Sequence, residues 1–312
     1  MKKVIFLGLL AVLCSANLVS AQDYVFKILA NKGNNAYKSS TPGADWQPLR
    51  TGSALNAGDQ VKISEGAYVG LIHSSGKTQE LTTAGDYSVD DLASTLTSGN
   101  TGVAAKYADF VLTKMTEEDE DINANYGQYV NATGAVERAT SSSKLKLMLS
   151  ASTKVYGNEV VIRWAEGDPS ETYTITLFNI FDKVIQEREV EESSLMLNFD
   201  DEMMQGQHFV KIKVQVTGVD SLVSEQYGIE RLTPGKIQSI TEEWEALQGQ
   251  VQEETPLNYI VKAGFFEEKG LFLDALTAYE QAIRLAPDVD SFRDMYEEFL
   301  VRTKLAGEPE EE

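Results

Sequence analysis

The stretch from Tyr259 to Pro287, YIVKAGFFEEKGLFLDALTAYEQAIRLAP, decides how the last quarter of the chain folds. Tyr259, Ala263 and Phe266 recur four and three residues apart, which puts them on one face of a helix. Gly270 interrupts the run; Ala275, Tyr279 and Ala282 then share a face of a second helix, which Pro287 closes. Working outward, Thr255-Pro256 supplies an N-cap and a first-turn proline for the first of these helices. Ile237, Ile240, Trp244, Leu247 and Val251 give an earlier helix an apolar seam. Beyond the pair, Asp290 or Ser291 is the expected cap of a last helix striped by Phe292, Met295, Tyr296, Phe299 and Leu300. The helical region is therefore expected over 236–306, with an acidic tail at 307–312 that is expected to be disordered.

The spacing from Tyr259 to Pro287 resembles the tetratricopeptide repeat, a hairpin of antiparallel helices. In that family the first helix of each pair lines a concave groove. The resemblance places Leu257, Ile260, Gly264, Glu267 and Glu268 at groove-facing positions, as candidates for contact with a partner protein. One such hairpin cannot bury its own apolar face, so the flanking helices are expected to stack on it as caps.

Ahead of Thr233-Pro234-Gly235 the period changes from helical to alternating. Val210, Ile212, Val214 and Val216 alternate with Lys211, Lys213 and Gln215, the signature of a strand with one buried and one wet face. Similar runs around Val160, Tyr173 and Leu195, with turns at Gly157-Asn158, Gly167-Asp168-Pro169 and Gly218, predict about seven short strands over 144–232. This region looks like an antiparallel sandwich of the immunoglobulin or fibronectin type, with Trp164 in its core.

The segment 117–143 is acidic and rich in Asn, Gly, Ser and Thr, and reads as a linker. Within it, Asp119, Asp121, Asn123 and Asn125 have the alternate spacing of calcium-loop ligands. Ala124 stands where an EF-hand needs glycine and Val130 where it needs glutamate, so any calcium site here would be a non-standard one.

Residues 22–116 form the first unit. Short β-type runs over Tyr24 to Leu92 are punctuated at Gly52, Gly58-Asp59, Gly66, Gly76 and Gly85-Asp86, and an amphipathic helix is expected over Val103 to Met115. The order Trp46, Leu49, Gly52, Leu55, Gly58-Asp59, Val61, Leu71, Gly76, Leu81 and Gly85 resembles the FecR-like β-domain of bacterial envelope proteins. Signalling members of that family carry a cytoplasmic segment and a membrane span ahead of the domain. Here a leader takes that place, so the resemblance implies a fold and an envelope setting rather than iron signalling.

That leader occupies residues 1–21: Lys2 and Lys3, an apolar run from Val4 to Leu13, and a small-residue cleavage site at Val19-Ser20-Ala21. Export to the periplasm, the outer membrane or the exterior is the expectation, with only peripheral membrane contact. Cys14 would allow lipid anchoring, but Leu13 precedes it where lipoprotein signals take a small residue. As the only cysteine of the chain, it leaves with the leader, and disulfides with it. The full chain has 27 Lys and Arg against 48 Asp and Glu, a net charge of −21. Such a field disfavours nucleic acid and anionic membranes and favours basic partners or cations.

Catalytic signatures are lacking. The two histidines, His73 and His208, are far apart in sequence, and the chain has no G-x-S-x-G, H-E-x-x-H, P-loop or dinucleotide motif. Asn131-Ala132-Thr133 and Asp220-Ser221-Leu222 match short glycosylation motifs that arise readily by chance. The expected protein is a non-catalytic, cofactor-free envelope scaffold that binds another envelope protein through its helical repeat. The rival expectations are a peptidoglycan or polysaccharide binder using Trp46 and Tyr68, and a carboxylate-dependent hydrolase with two acids facing across a cleft.

Overall fold

A computed structural model of the chain describes residues 24–96, 145–150, 152–164, 171–248, 254–303 and 305. The leader, the expected 103–115 helix, the linker with its four candidate calcium ligands, the turn at Gly167 and the acidic tail lie outside these residues.

The first unit is a pair of antiparallel sheets. Its strands are β1 (Phe26–Lys32), β2 (Ala36–Lys38), β3 (Gln47–Pro48), β4 (Ala54–Leu55), β5 (Gln60–Ile63), β6 (Tyr68–His73), β7 (Thr78–Leu81) and β8 (Gly85–Ser88). One sheet has the order β4-β1-β6-β7 and the other β3-β2-β5-β8. Phe26, Ile28, Val69 and Leu71 from the first meet Val61 and Ile63 from the second in a shared core. Gly52, Gly58, Gly66 and Gly76 all have φ between 68° and 86°, a left-handed conformation that glycine adopts without a Cβ clash. Asp59 is buried and its carboxylate accepts from the backbone N–H groups of Ser40 and Asn56, tying that turn together. Gly85-Asp86, expected as a turn, instead opens β8, pairing with Ile63 and Lys62. A short helix, α1 (Val89–Thr95), follows where the sequence reading continued in β-type runs.

Where about seven strands are expected, the described residues of the second unit hold β9 (Ser152–Val155), β10 (Glu159–Arg163), β11 (Tyr173–Phe178), β12 (Val184–Val190), β13 (Ser194–Asn198), β14 (Phe209–Val216) and β15 (Tyr227–Arg231). They form a five-stranded sheet, β12-β11-β14-β15-β9, and a two-stranded sheet, β10-β13, around one core. Val210, Ile212, Val214 and Val216 all point into it, and Trp164 packs edge-on against Tyr173 at 5.3 Å. The unit departs from a purely antiparallel sandwich in one place: β15 and β9 pair in parallel. The long excursion through five other strands gives the chain room to return in the same direction, which a tight hairpin cannot do.

After the sandwich the described residues form four helices: α2 (Pro234–Gln248), α3 (Pro256–Glu268), α4 (Phe272–Leu285) and α5 (Asp290–Arg302). Thr255 caps α3, its hydroxyl accepting from Asn258 N, with Pro256 next to it. Gly270, at φ +69°, turns the chain between α3 and α4. The cap of α5 is the backbone of Val289 rather than Asp290 or Ser291; Asp290 is already inside the first turn, where its charge suits the helix dipole.

The helices do not stack only on each other. Leu29, Ala30, Tyr68 and Ile72, on the outer face of the β1–β6 sheet, join Val161 of β10 and the apolar faces of α2 to α5 in one continuous core. The β1–β6 sheet is thus covered on both sides. This explains why Ile28-Leu29-Ala30 and Tyr68 to Ile72 are apolar runs without clean alternation.

Candidate partner surface and the helical brace

Helix α4 meets the second unit through polar residues three apart on one face. Asp274 accepts from the backbone N–H groups of Tyr156, at 2.9 Å, and Gly157, at 2.6 Å. One turn on, the Thr277 hydroxyl accepts from Val161 N at 3.0 Å, satisfying a donor on the open edge of β10. A further turn on, Glu280 forms a forked ion pair with Arg163 and also accepts from the Tyr296 hydroxyl. Thr277 thus meets the β10 backbone itself, Asp274 the turn ahead of it and Glu280 the Arg163 side chain, while Met148 N donates to Arg163 O on the same edge. A double-mutant cycle on Arg163→Ala and Glu280→Ala should give a coupling energy of about 1–2 kcal/mol by urea unfolding. Additivity of the two substitutions would mean that the pair does not hold the helix.

Asp274 is nearly fully buried, and desolvation pushes its carboxyl up to about 6, against the opposing pull of the two N–H groups and of Lys262. Lys262 lies over the rings of Trp244 and Tyr259, at 5.7 and 5.6 Å. Burial lowers its own affinity for a proton.

Helices α3 and α5 meet the first unit. Leu257 rests on Gly70 so closely that a Cβ there would stand 3.0 Å from it. Leu257 N donates to Glu80 Oε1 at 2.9 Å, and Thr78 is hydrogen-bonded to Asn258. Phe292 packs edge-on against Tyr68 at 5.7 Å, and Lys32 pairs with Asp288 at 3.1 Å.

The five residues expected to face a partner are placed differently from one another. Leu257 and Ile260 are fully buried, and Gly264 is buried as well. Glu267 accepts from Arg302 Nε at 2.7 Å and Nη2 at 3.0 Å, and from the Tyr279 hydroxyl at 3.3 Å, tying α3 to α4 and α5. Burial disfavours the Arg302 cation, but the hydrogen bonds and charge of Glu267 more than offset this. Glu268 alone of the five is exposed. A foreign segment could reach Leu257 only by displacing the β1–β6 sheet.

The remaining residues singled out in the sequence are dispersed. His73 lies in the first unit, against Phe26 and bonded to Ser75, while His208 is exposed in the second. Trp46 is 39% exposed with Lys62 Nζ 4.7 Å above its ring, whereas Tyr68 is sealed under Phe292. Among the described residues there is no cluster of three or more His, Cys, Asp or Glu placed to hold a metal, and no helix long and apolar enough to cross a membrane. Large apolar side chains are exposed at Ile180, Phe181, Val184, Met196 and Met203 on the second unit, a feature that strand periodicity did not single out. The signal for it was the run Asn179-Ile180-Phe181-Asp182, where a turn rich in polar residues would be expected.

No family model matches the chain, and no curated protein matches it.

Proposed function

We propose that the chain is an exported, non-catalytic scaffold of a bacterial cell envelope that engages another envelope protein. In this reading the first unit is a FecR-like β-domain, the second an immunoglobulin- or fibronectin-type sandwich, and α3–α4 a tetratricopeptide-type hairpin flanked by α2 and α5. The observation that supports it most is the continuous core that joins the helices to both β-units. A chain built this way presents fixed outer surfaces at a set separation, which suits a spacer or adaptor. The groove that the hairpin would offer a partner is filled by the chain's own β1–β6 sheet, so the hairpin acts as an internal brace. The partner then meets an outer face.

The test is affinity capture by the intact mature chain from its own envelope, followed by reconstitution from purified components. One protein retained in stoichiometric amount, and rebinding when purified, is the expected result; retention only on cell-wall or glycan material would overturn the reading. Removing residues from Ile237 onward is a poor control, since it would uncover Leu29, Tyr68 and Ile72 and create an adhesive sheet face.

A second reading, binding of peptidoglycan or polysaccharide by the first unit, draws on the exposure of Trp46. It predicts that Trp46→Ala abolishes retention on purified cell wall while leaving the urea midpoint unchanged. Tyr68, being sealed, would contribute nothing to such a site.

A further inference from the structure

Most large apolar side chains on the surface of the second unit gather along one margin. Ile180 is 59% exposed and Phe181 85%, at the tip of the β11–β12 hairpin. Val184, 50% exposed, opens β12, the edge strand of the five-stranded sheet. The turn at Glu202–Met204 packs beside β12 and carries Met203, which is 53% exposed.

The tip is held in one shape by polar groups alone. Asn179 Oδ1 accepts from Phe181 N at 2.9 Å and from Lys183 N at 3.0 Å, and Asn179 N donates to Lys183 O at 2.9 Å. Asp182 takes the left-handed conformation at φ +60°, and its carboxylate is fixed by Lys211 Nζ at 2.7 Å. None of these bonds uses the side chain of Ile180 or Phe181, while their exposure costs solubility. An apolar anchor whose backbone is fixed beforehand loses little entropy on binding.

From this margin we infer a docking surface, resting on the scaffold reading above. Ile180 and Phe181 form a rigid plug, backed by Val184 and Met203, for an apolar pocket in a partner protein whose rim is basic. Charge selects that partner. Exposed acids outnumber exposed bases along this margin: Glu187 and Glu189 on β12, Glu191 and Glu192 past its far end, and Asp201 and Glu202 leading into the Met203 turn, against Lys183 in the tip, while Asp182 is paired with Lys211. A second copy of the chain would bring two acidic rims together, and an anionic bilayer would repel this one. An apolar pocket rimmed with Lys and Arg escapes both penalties.

The experiment uses the full mature chain in its own cells, with the photo-crosslinker p-benzoylphenylalanine at position 181 and, as a control, at the exposed Leu285. A discrete adduct with one protein from position 181 only is expected. That protein, purified, should bind the chain at least about tenfold more weakly when Ile180→Ser and Phe181→Ser are combined, and more weakly as salt is raised. The double variant should keep the urea midpoint of the parent. The inference is overturned by adducts only between copies of the chain, by no adduct at all, or by flotation with phosphatidylethanolamine–phosphatidylglycerol vesicles that the double variant loses. If a partner captured by the intact chain binds the double variant equally well, the plug is wrong and the scaffold stands. If the intact chain captures no partner, the scaffold reading itself fails.

Discussion

Asp274→Ala is expected to destabilise the protein by about 2–4 kcal/mol at pH 7, read as a lower urea midpoint at unchanged m-value. The substitution strips the backbone donors of Tyr156 and Gly157 of their acceptor at a helix–sheet contact that water does not readily reach. The pH dependence separates this role from simple packing. In the folded protein the Asp274 carboxyl is raised from 3.8 to about 6, so between those values the folded chain holds a proton that the unfolded chain has released. The protonation-linked part of its contribution is therefore fully present below about pH 4 and is lost as pH rises through about 6, an effect on the order of 3 kcal/mol, while the two N–H bonds that alanine would remove persist at pH 7. Asp274→Asn cannot titrate, so its stability relative to the parent should improve steadily from pH 4 to 6.5. Parallel curves for the two proteins across that window would show that Asp274 is not the titrating group.

Phe292→Ala should cost more, about 3–5 kcal/mol, because the ring is fully buried and stands between α5 and Tyr68 of β6. The location of the loss is the informative part. Amide exchange should quicken in β1 and β6 as well as in α5, because the cavity opens between them. Faster exchange confined to α5 would mean that the helices and the first unit are separate bodies that merely touch. A cycle with Tyr68→Ala should leave an interaction energy of about 0.5–1.5 kcal/mol for the edge-to-face contact.

Much of the architecture was legible in the sequence, for reasons that differ by element. The β14 strand was readable because one face is core and the other solvent, so Val210 to Val216 alternate without exception. The α3–α4 hairpin was readable because Ala263, Ala275, Ala282 and Tyr279 repeat at helical spacing and are all buried. Periodicity reports which face is covered and says nothing about what covers it. Leu257 and Ile260 stand where the tetratricopeptide resemblance implies a groove, and their covering sheet lies some 180 residues earlier, at Gly70, Thr78 and Glu80. The broken alternation of Tyr68 to Ile72 carried the missing information, since a strand apolar on both faces needs a second layer. Asp274 gave no such sign. An acid in the first turn of a helix usually faces solvent, and only the fold shows that its oxygens reach Tyr156 and Gly157.

The double covering of the β1–β6 sheet also bears on how the molecule is made. Strands that leave the ribosome early have their outer face closed by residues that leave some 200 residues later: Leu257, Phe292 and their neighbours. During synthesis, Leu29, Tyr68 and Ile72 must stay wet, or be shielded by another protein, until α3 and α5 arrive. A chain cut short anywhere before α3 would display this sheet openly, which marks an incomplete copy for proteases and holdases. Synthesis of α3 to α5 is thus the step that makes the β1–β6 sheet safe.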